Sequence, residues 1–236
     1  MKTIAILQHA VHDGPGYFGT WLQARGLAFK VYRMFEGDLL PPHASAHAGW
    51  CILGGPMSAN DPLPYFDDLL ERICEAVAQD IPVIGHCLGG QLMARALGGT
   101  VQMSEHVEIG WSDLQVVHEN GAQWFGPKAQ VGTRLPLFQW HGESFSIPLG
   151  AQWLVQGRHC AHQAFSVGSK HLAMQFHCEV DEAKLRTWLE LDAHELCGSA
   201  SPGVQQAVEI LPTLTRDIAR SQAIANCVYA RWTQGL

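Results

Sequence analysis

The order of apolar and polar positions along the first hundred residues predicts strands and helices in alternation. Thr3–Gln8 is a short β-type run, followed by the glycine/proline loop Asp13-Gly14-Pro15-Gly16. The spacing then predicts a helix over Tyr17–Arg25, with Pro15 and Gly16 near its start and Gly26 stopping it. Ala28–Arg33 reads as a second strand and Trp50–Leu53 as a third, which runs into Gly54-Gly55-Pro56. In Pro62–Gln79, Phe66, Leu69, Leu70, Ile73, Cys74 and Val77 recur at helical spacing with acids opposite. Pro82–Gly85 is a short buried strand, and Leu88–Leu97 a helix closed by Gly98-Gly99. Such alternation predicts right-handed βαβ units and an α/β fold, an open, mainly parallel sheet flanked by helices. Sheets of this kind carry their sites at the carboxyl ends of the strands, where the glycine-rich turns at 54–56 and 85–90 fall.

From residue 100 to 180 the pattern turns β-rich. Val107–Val117, Leu137–His141, Trp153–Gln156, Gln163–Val167 and Leu172–Phe176 are candidate strands, some of them antiparallel. Beyond Val180, Asp181–Cys197 and Thr213–Trp232 are amphipathic helices separated by the breaker segment Gly198–Gly203. No polar linker divides the chain, which predicts one domain over 1–236, with a core to about 185 and a C-terminal helical extension from about 186.

Composition narrows the function classes. With 47% hydrophobic and 16% charged residues, the 236-residue chain can build a sizeable core and is not globally disordered. A net charge of −7 offers no fixed basic surface, so nucleic acid is not an expected partner. No segment is long and apolar enough to cross a membrane, and Met1-Lys2-Thr3 leads straight into Ile4-Ala5-Ile6-Leu7 without a signal peptide. Seven cysteines, an odd number, then point to a reducing, cytoplasmic compartment in which most of them are small buried hydrophobes.

One cysteine stands apart. Gly85-His86-Cys87-Leu88-Gly89-Gly90-Gln91 lies between a strand and a helix, where a nucleophile projects from a tight turn above the sheet. Small residues two positions on either side relieve backbone crowding, and Gly85 and Gly89 supply them. The helix amino end favours a thiolate and can hold an oxyanion. A thiol nucleophile needs a base, and the base an orienting group. In Gln175-Phe176-His177-Cys178-Glu179, His177 and Glu179 are two apart at the end of an apolar run and would share one face of a strand. His159-Cys160-x-His162 and His177-Cys178 fit no zinc spacing, so no metal is expected, and no other cofactor.

Gly54-Gly55-Pro56, Gly85-x-Cys87-x-Gly89-Gly90-Gln91 and Gln175-Phe176-His177-x-Glu179 resemble the three ordered signatures of the class I glutamine amidotransferase family. Trp140-His141-Gly142-Glu143 resembles a fourth. Gln8-His9 and the loop 13–16 are most similar to its stand-alone, GMP synthase-like members. The resemblance implies a flavodoxin-like amidotransferase fold and a Cys87–His177–Glu179 triad that hydrolyses the glutamine side-chain amide through a γ-glutamyl thioester. It further implies an oxyanion hole from the N–H groups of Gly55 and Leu88. Substrate-holding roles follow for Gln91, Trp140, His141, Gly142 and Glu143.

Three positions depart from the family or stand out in it. Cys178 stands where proline is usual, which raises the idea of an oxidative pairing with Cys87, against a neutral replacement facing the other way. Glu143 replaces a common aspartate, and His86 is unusually polar beside a nucleophile. With neither a Walker loop nor a Ser-Gly-Gly-x-Asp-Ser pyrophosphatase loop, the chain is not a whole ATP-dependent synthetase. Three expectations remain: a glutaminase that feeds ammonia to a synthase partner chain or acts alone, a γ-glutamyl peptidase, and a non-catalytic regulatory subunit. The first two act on a small-molecule substrate, glutamine or a γ-glutamyl compound; self-association is left open.

Overall fold

A computed structural model of the chain describes residues 2–197 and 199–236; Gly198, at the head of the expected breaker segment, lies outside them. In chain order the elements are β1 (Ile4–Gln8), α1 (Gly16–Ala24), β2 (Phe29–Arg33), β3 (Gly49–Ile52), α2 (Phe66–Ala78), β4 (Val83–His86) and α3 (Leu88–Ala96). There follow β5 (Val101–Val116), α4 (Gly121–Phe125), β6 (Arg134–Phe145), β7 (Gln152–Gln156), β8 (Ala164–Val167) and β9 (His171–Met174). The chain closes with α5 (Glu182–Leu191), α6 (Ala193–Leu196), β10 (Gly203–Val204), α7 (Ala207–Ile210) and α8 (Leu214–Thr233).

All strands join one sheet in the order β10-β5-β7-β8-β9-β4-β3-β1-β2, with β6 paired to β5. From β9 to β2 every pair is parallel. β1 lies between β2 and β3, so the winding reverses there, which opens a crevice at the carboxyl edge. The other half is antiparallel except for the short β10, which pairs with β5 in parallel, and is built on the long β5–β6 hairpin with a bulge between Met103 and Glu108.

Alternation along the strands assigns the two faces. Ile4, Ile6, Cys51 and Ile84 face α1 and α8, packing with Phe18, Trp21, Tyr229 and Trp232. Ala5, Leu7, Trp50, Ile52 and Val83 face α2 and α3, with Phe66, Leu69, Ile73 and Leu92. A third cluster joins Ile109 and Phe138 of the hairpin to Leu185, Trp188 and Leu189 of α5 and to Leu214 and Ile218 of α8. The C-terminal helices therefore bury their apolar faces against the same sheet.

The hairpin strands run longer than expected, Val101–Val116 against Val107–Val117 and Arg134–Phe145 against Leu137–His141, and three further expectations shift. The helix expected from Pro62 begins at Phe66, because Leu63 precedes Pro64 and is pushed out of helical geometry. The helix expected over Asp181–Cys197 is two, broken at Asp192, with Asp181 capping the first through Lys184 N (2.8 Å). The strand expected over Leu172–Phe176 ends at Met174, and the chain leaves the sheet before His177.

Candidate active site

Cys87 has φ 48° and ψ −108°, a conformation that side chains rarely adopt. Packing enforces it. A Cβ on Gly85 would meet the Gly89 carbonyl at 2.6 Å, one on Gly90 would meet Met174 O at 2.5 Å, and one on Gly89 would run into Ile52 O. The Cys87 N–H donates to Met174 O (2.8 Å), tying the turn to the end of β9. Its thiol is set between Trp140 O (3.7 Å), to which it donates, and Gln175 Nε2 (3.6 Å), which donates to it.

His177 reaches this thiol from outside the sheet. Its N–H donates to Phe138 O (2.8 Å), a bridge to the hairpin that fixes the backbone in place of a strand ladder. A Cβ at Gly54 would lie 2.9 Å from His177 Cε1 and 3.6 Å from Cys87 Cβ, so the glycine makes room for both. Nδ1–H donates to Glu179 Oε1 (2.7 Å), and Trp188 stands edge-on to the ring at 5.0 Å. Burial works against a charge on His177, but Glu179 and the Cys87 thiol outweigh it and raise its pKa.

Glu179 is fully buried. Burial pushes its carboxyl up, yet the neighbouring cations hold it well below the usual carboxylate range. One of them is Lys184 of α5, whose ammonium lies 3.3 Å from Glu179 Oε1, donates to Gly14 O (2.9 Å) and sits over the Trp188 ring at 4.9 Å. His86 faces the other carboxylate oxygen at 3.5 Å, but burial drives its pKa down to about 4, so at neutral pH it is uncharged. His177 and Lys184 therefore supply the compensating charge.

The thiol opens on a cavity of about 340 Å³. Gly55, Gln91, Trp140, His141, Gly142 and Glu143 line it, as do Cys87 and His177. Leu88 is buried behind the turn, its side chain 3.1 Å from where a Gly55 Cβ would stand. The N–H groups of Gly55 and Leu88 donate to no protein acceptor among the described residues. Gln91 Nε2 donates to Glu143 O (3.1 Å), and the Glu143 carboxylate accepts from Ser58 Oγ (2.9 Å). Asp13, Ser58, Trp188, Asp192 and Glu195 also line the cavity and escaped the sequence reading, as did Lys184. For Lys184 a signal existed: it shares the buried face of α5 with Leu185, Trp188 and Leu189, where a lysine is out of place.

Cys178 and His86 take different settings. Cys178 is buried on the side away from the cavity, next to Tyr229 OH (3.5 Å) and Met174 Sδ (3.9 Å), and burial pushes its thiol far up. That setting favours the neutral replacement over oxidative pairing. His86 packs under the turn against Phe18 and Tyr229. In the 159–162 segment, His162 Nδ1–H donates to Phe145 O (2.9 Å) and His159 stands against His106, while Cys160 turns inward.

A strained cysteine at the carboxyl edge of a wound parallel sheet marks the class: this is an α/β enzyme that depends on a cysteine. The chain belongs to the glutamine amidotransferase class I family, which matches residues 21–192. It is 31% identical over 176 residues to the glutamine amidotransferase-like protein YfeJ of Salmonella typhimurium, covering 72% of this chain and 73% of that one. It is 31% identical over 125 residues to the GMP synthase of Aeromonas salmonicida, covering 50% of this chain but 24% of that one. The chain thus spans about a quarter to a third of the GMP synthases it matches. A glutamine amidotransferase from Methylobacillus flagellatus superposes with a TM-score of 0.96 at 43% identity, over 100% of this chain and 96% of that one. Another, from Thermotoga maritima, gives 0.86 at 25% identity over 99% and 98%. Among the described residues no helix is long and apolar enough to cross a membrane.

Proposed function

We propose that the chain hydrolyses the side-chain amide of glutamine, with Cys87 as nucleophile, His177 as proton carrier and Glu179 as the group that orients it. The observation that carries this reading is the 2.7 Å contact between His177 and Glu179, placed beside a cysteine held at φ 48° on the floor of a cavity. The cavity, about 340 Å³, lies at the small end of the range of ~300–1,000 Å³ usual for ligand pockets, which suits an amino acid.

Glu179 accepts the Nδ1 proton of His177, so Nε2 is the nitrogen that takes the thiol proton. Sulfur adds to the amide carbon, and the resulting oxyanion meets the free N–H groups of Gly55 and Leu88. The adduct collapses to a γ-glutamyl thioester as His177 hands its proton to the leaving nitrogen, which departs as ammonia. His177 then takes a proton from water, which attacks the thioester and releases glutamate and the thiol. Gln91, Trp140, His141, Gly142 and Glu143 form the wall that holds the substrate. The Glu143 carboxylate faces the cavity and suits the substrate's ammonium. By analogy with the GMP synthase relatives, the ammonia would pass to a synthase partner chain.

The test is a hydrolysis assay on glutamine and on γ-glutamyl dipeptides under identical conditions, with labelling of Cys87 by a glutamine-mimicking electrophile. Glutamine turnover that disappears in Cys87→Ala and His177→Ala supports the reading. Preference for the dipeptides would make the chain a γ-glutamyl peptidase. Absence of both hydrolysis and labelling, with or without lysate, would leave a non-catalytic subunit.

A further inference from the structure

Behind the cavity wall lies a second group of reactive side chains, which shares only His141 with the wall and takes no part in the proposed proton transfers. Glu108 of β5, His141 of β6 and Cys160 from the loop between β7 and β8 are all buried, and one donor atom from each lies within 4.8 Å of the others. Their sequence spacing, 108, 141 and 160, follows no metal motif; the β5–β6 hairpin and the turn before β8 bring them together.

The hydrogen bonds leave this group short of a cation. His141 Nδ1 lies 3.0 Å from Glu143 O, a carbonyl that can only accept, so Nδ1 carries the proton. A neutral His141 then turns the lone pair of Nε2 toward Glu108 Oε2 at 3.2 Å, acceptor facing acceptor. Gln163 Nε2 donates to that oxygen (2.9 Å), but Glu108 Oε1 and His141 Nε2 are buried without a hydrogen-bond partner. Something positive belongs between them, either a proton on Nε2 or a metal ion.

The third member decides between these. A proton needs only the His–Glu pair, whereas a thiol beside them completes a donor set of one nitrogen, one carboxylate oxygen and one sulfur. Two ligands at ~2.0–2.1 Å from a tetrahedral zinc stand about 3.3 Å apart, close to the 3.2 Å seen here. A thiolate and a carboxylate also balance a divalent charge. The Ser104 hydroxyl, one of the groups beside the Cys160 thiol, is buried without a hydrogen-bond partner.

We propose that Glu108, His141 and Cys160 bind a thiophilic divalent cation, with Zn²⁺ the best fit, at a site separate from Cys87. Burial pushes the Cys160 thiol up to about 11, so at neutral pH the metal must displace its proton: Zn²⁺ and the thiol give the zinc thiolate and one H⁺. The ion would clamp β5, β6 and the 157–163 loop together and fix the His141 ring that holds the Glu143 carbonyl at the cavity wall.

The experiment uses the full chain carrying Cys87→Ala, so that the nucleophile cannot contribute a ligand. Titration with Co²⁺ should give intense tetrahedral d–d bands and a thiolate-to-cobalt charge-transfer band at one equivalent, both displaced by Zn²⁺. Adding Cys160→Ser should remove the charge-transfer band, and adding Glu108→Gln should weaken binding by about tenfold or more, with thermal melting to verify that each variant is folded. X-ray absorption on the zinc-loaded Cys87→Ala protein needs no further variant: it should count one sulfur at ~2.3 Å and the rest nitrogen or oxygen. No stoichiometric cobalt spectrum, a band that survives Cys160→Ser, or a zinc shell with no sulfur or several would overturn the proposal, leaving a protonated His141 paired with Glu108.

Discussion

Replacing Lys184 with methionine tests how the fold tolerates a buried carboxylate behind its histidine. Methionine keeps the apolar stem that packs in α5 and deletes only the ammonium. That ammonium lies 3.3 Å from Glu179 Oε1 and 2.9 Å from Gly14 O. Removing one partner of a buried ion pair costs ~3–5 kcal/mol; His177 stays on the carboxylate, which puts the loss near the lower end, about 3 kcal/mol. For a chain of this size 1 kcal/mol moves the melting temperature by ~2–4 °C, so Lys184→Met should melt about 6–12 °C below wild type. The pH dependence has a definite sign. Glu179 is held well below its ordinary value in the folded chain, so its contribution is present above the unfolded-state pKa and is lost as pH falls through the folded one. Deleting Lys184 raises the folded value. The gap between the two proteins is then full at neutral pH and narrows in acid, where a protonated carboxyl needs no ammonium. Melting curves of both proteins across pH measure it. A melting temperature within about a degree of wild type, or a gap that is constant with pH, would refute charge compensation as the role of Lys184.

Three further outcomes follow from the turn and its underside. Cys87→Gly removes a side chain from φ 48° and should melt about 2–4 °C above Cys87→Ala, since the ~1–3 kcal/mol cost of the conformation exceeds the ~0.5–1 kcal/mol entropy cost of glycine. Equal melting temperatures would mean the turn stores no strain. Gly89→Ala drives a methyl into Ile52 O and should abolish glutamine turnover and lower stability by about 1–3 kcal/mol, the scale of overpacked cores, read by denaturant titration. His86 has a folded pKa of about 4 against an ordinary 6.5, so the unfolded chain takes up its proton first. Stability should therefore fall as pH drops from 6.5 to 4, by about 3 kcal/mol for this group, and His86→Phe should flatten that part of the curve.

Much of the site was legible because its demands are local. The tight strand-to-helix turn at Cys87 forces glycine at 85 and 89, and the crowding that does so lies within a few residues or against the next strand, so it is written into one heptapeptide. His177 and Glu179 are two apart, and their contact needs no distant element; it persists although the strand expected to carry them ends at Met174. The parallel half of the sheet was readable for a similar reason, since the buried strands β1, β3 and β4 are short apolar runs, and glycine or proline lies beside β3 and β4. By contrast, β10 and α7, of two and four residues, are too short for a hydrophobic period to repeat and left no pattern to read.

What only the tertiary structure decided are the partnerships that cross the fold. Lys184 meets Glu179 because α5 returns across the site, and Asp13, Trp188, Asp192 and Glu195 reach one cavity from separate segments of the chain. Glu108, His141 and Cys160 converge because the long hairpin folds against the β7–β8 turn. The sequence by itself determined the sheet's parallel half, the glycine-flanked turn at Cys87 and the His–Glu pair, since steric exclusion and burial act at short range and leave a periodic trace. Charge compensation at Glu179 and the convergence behind the cavity wall depend on distances between elements, which the order of residues along the chain does not encode.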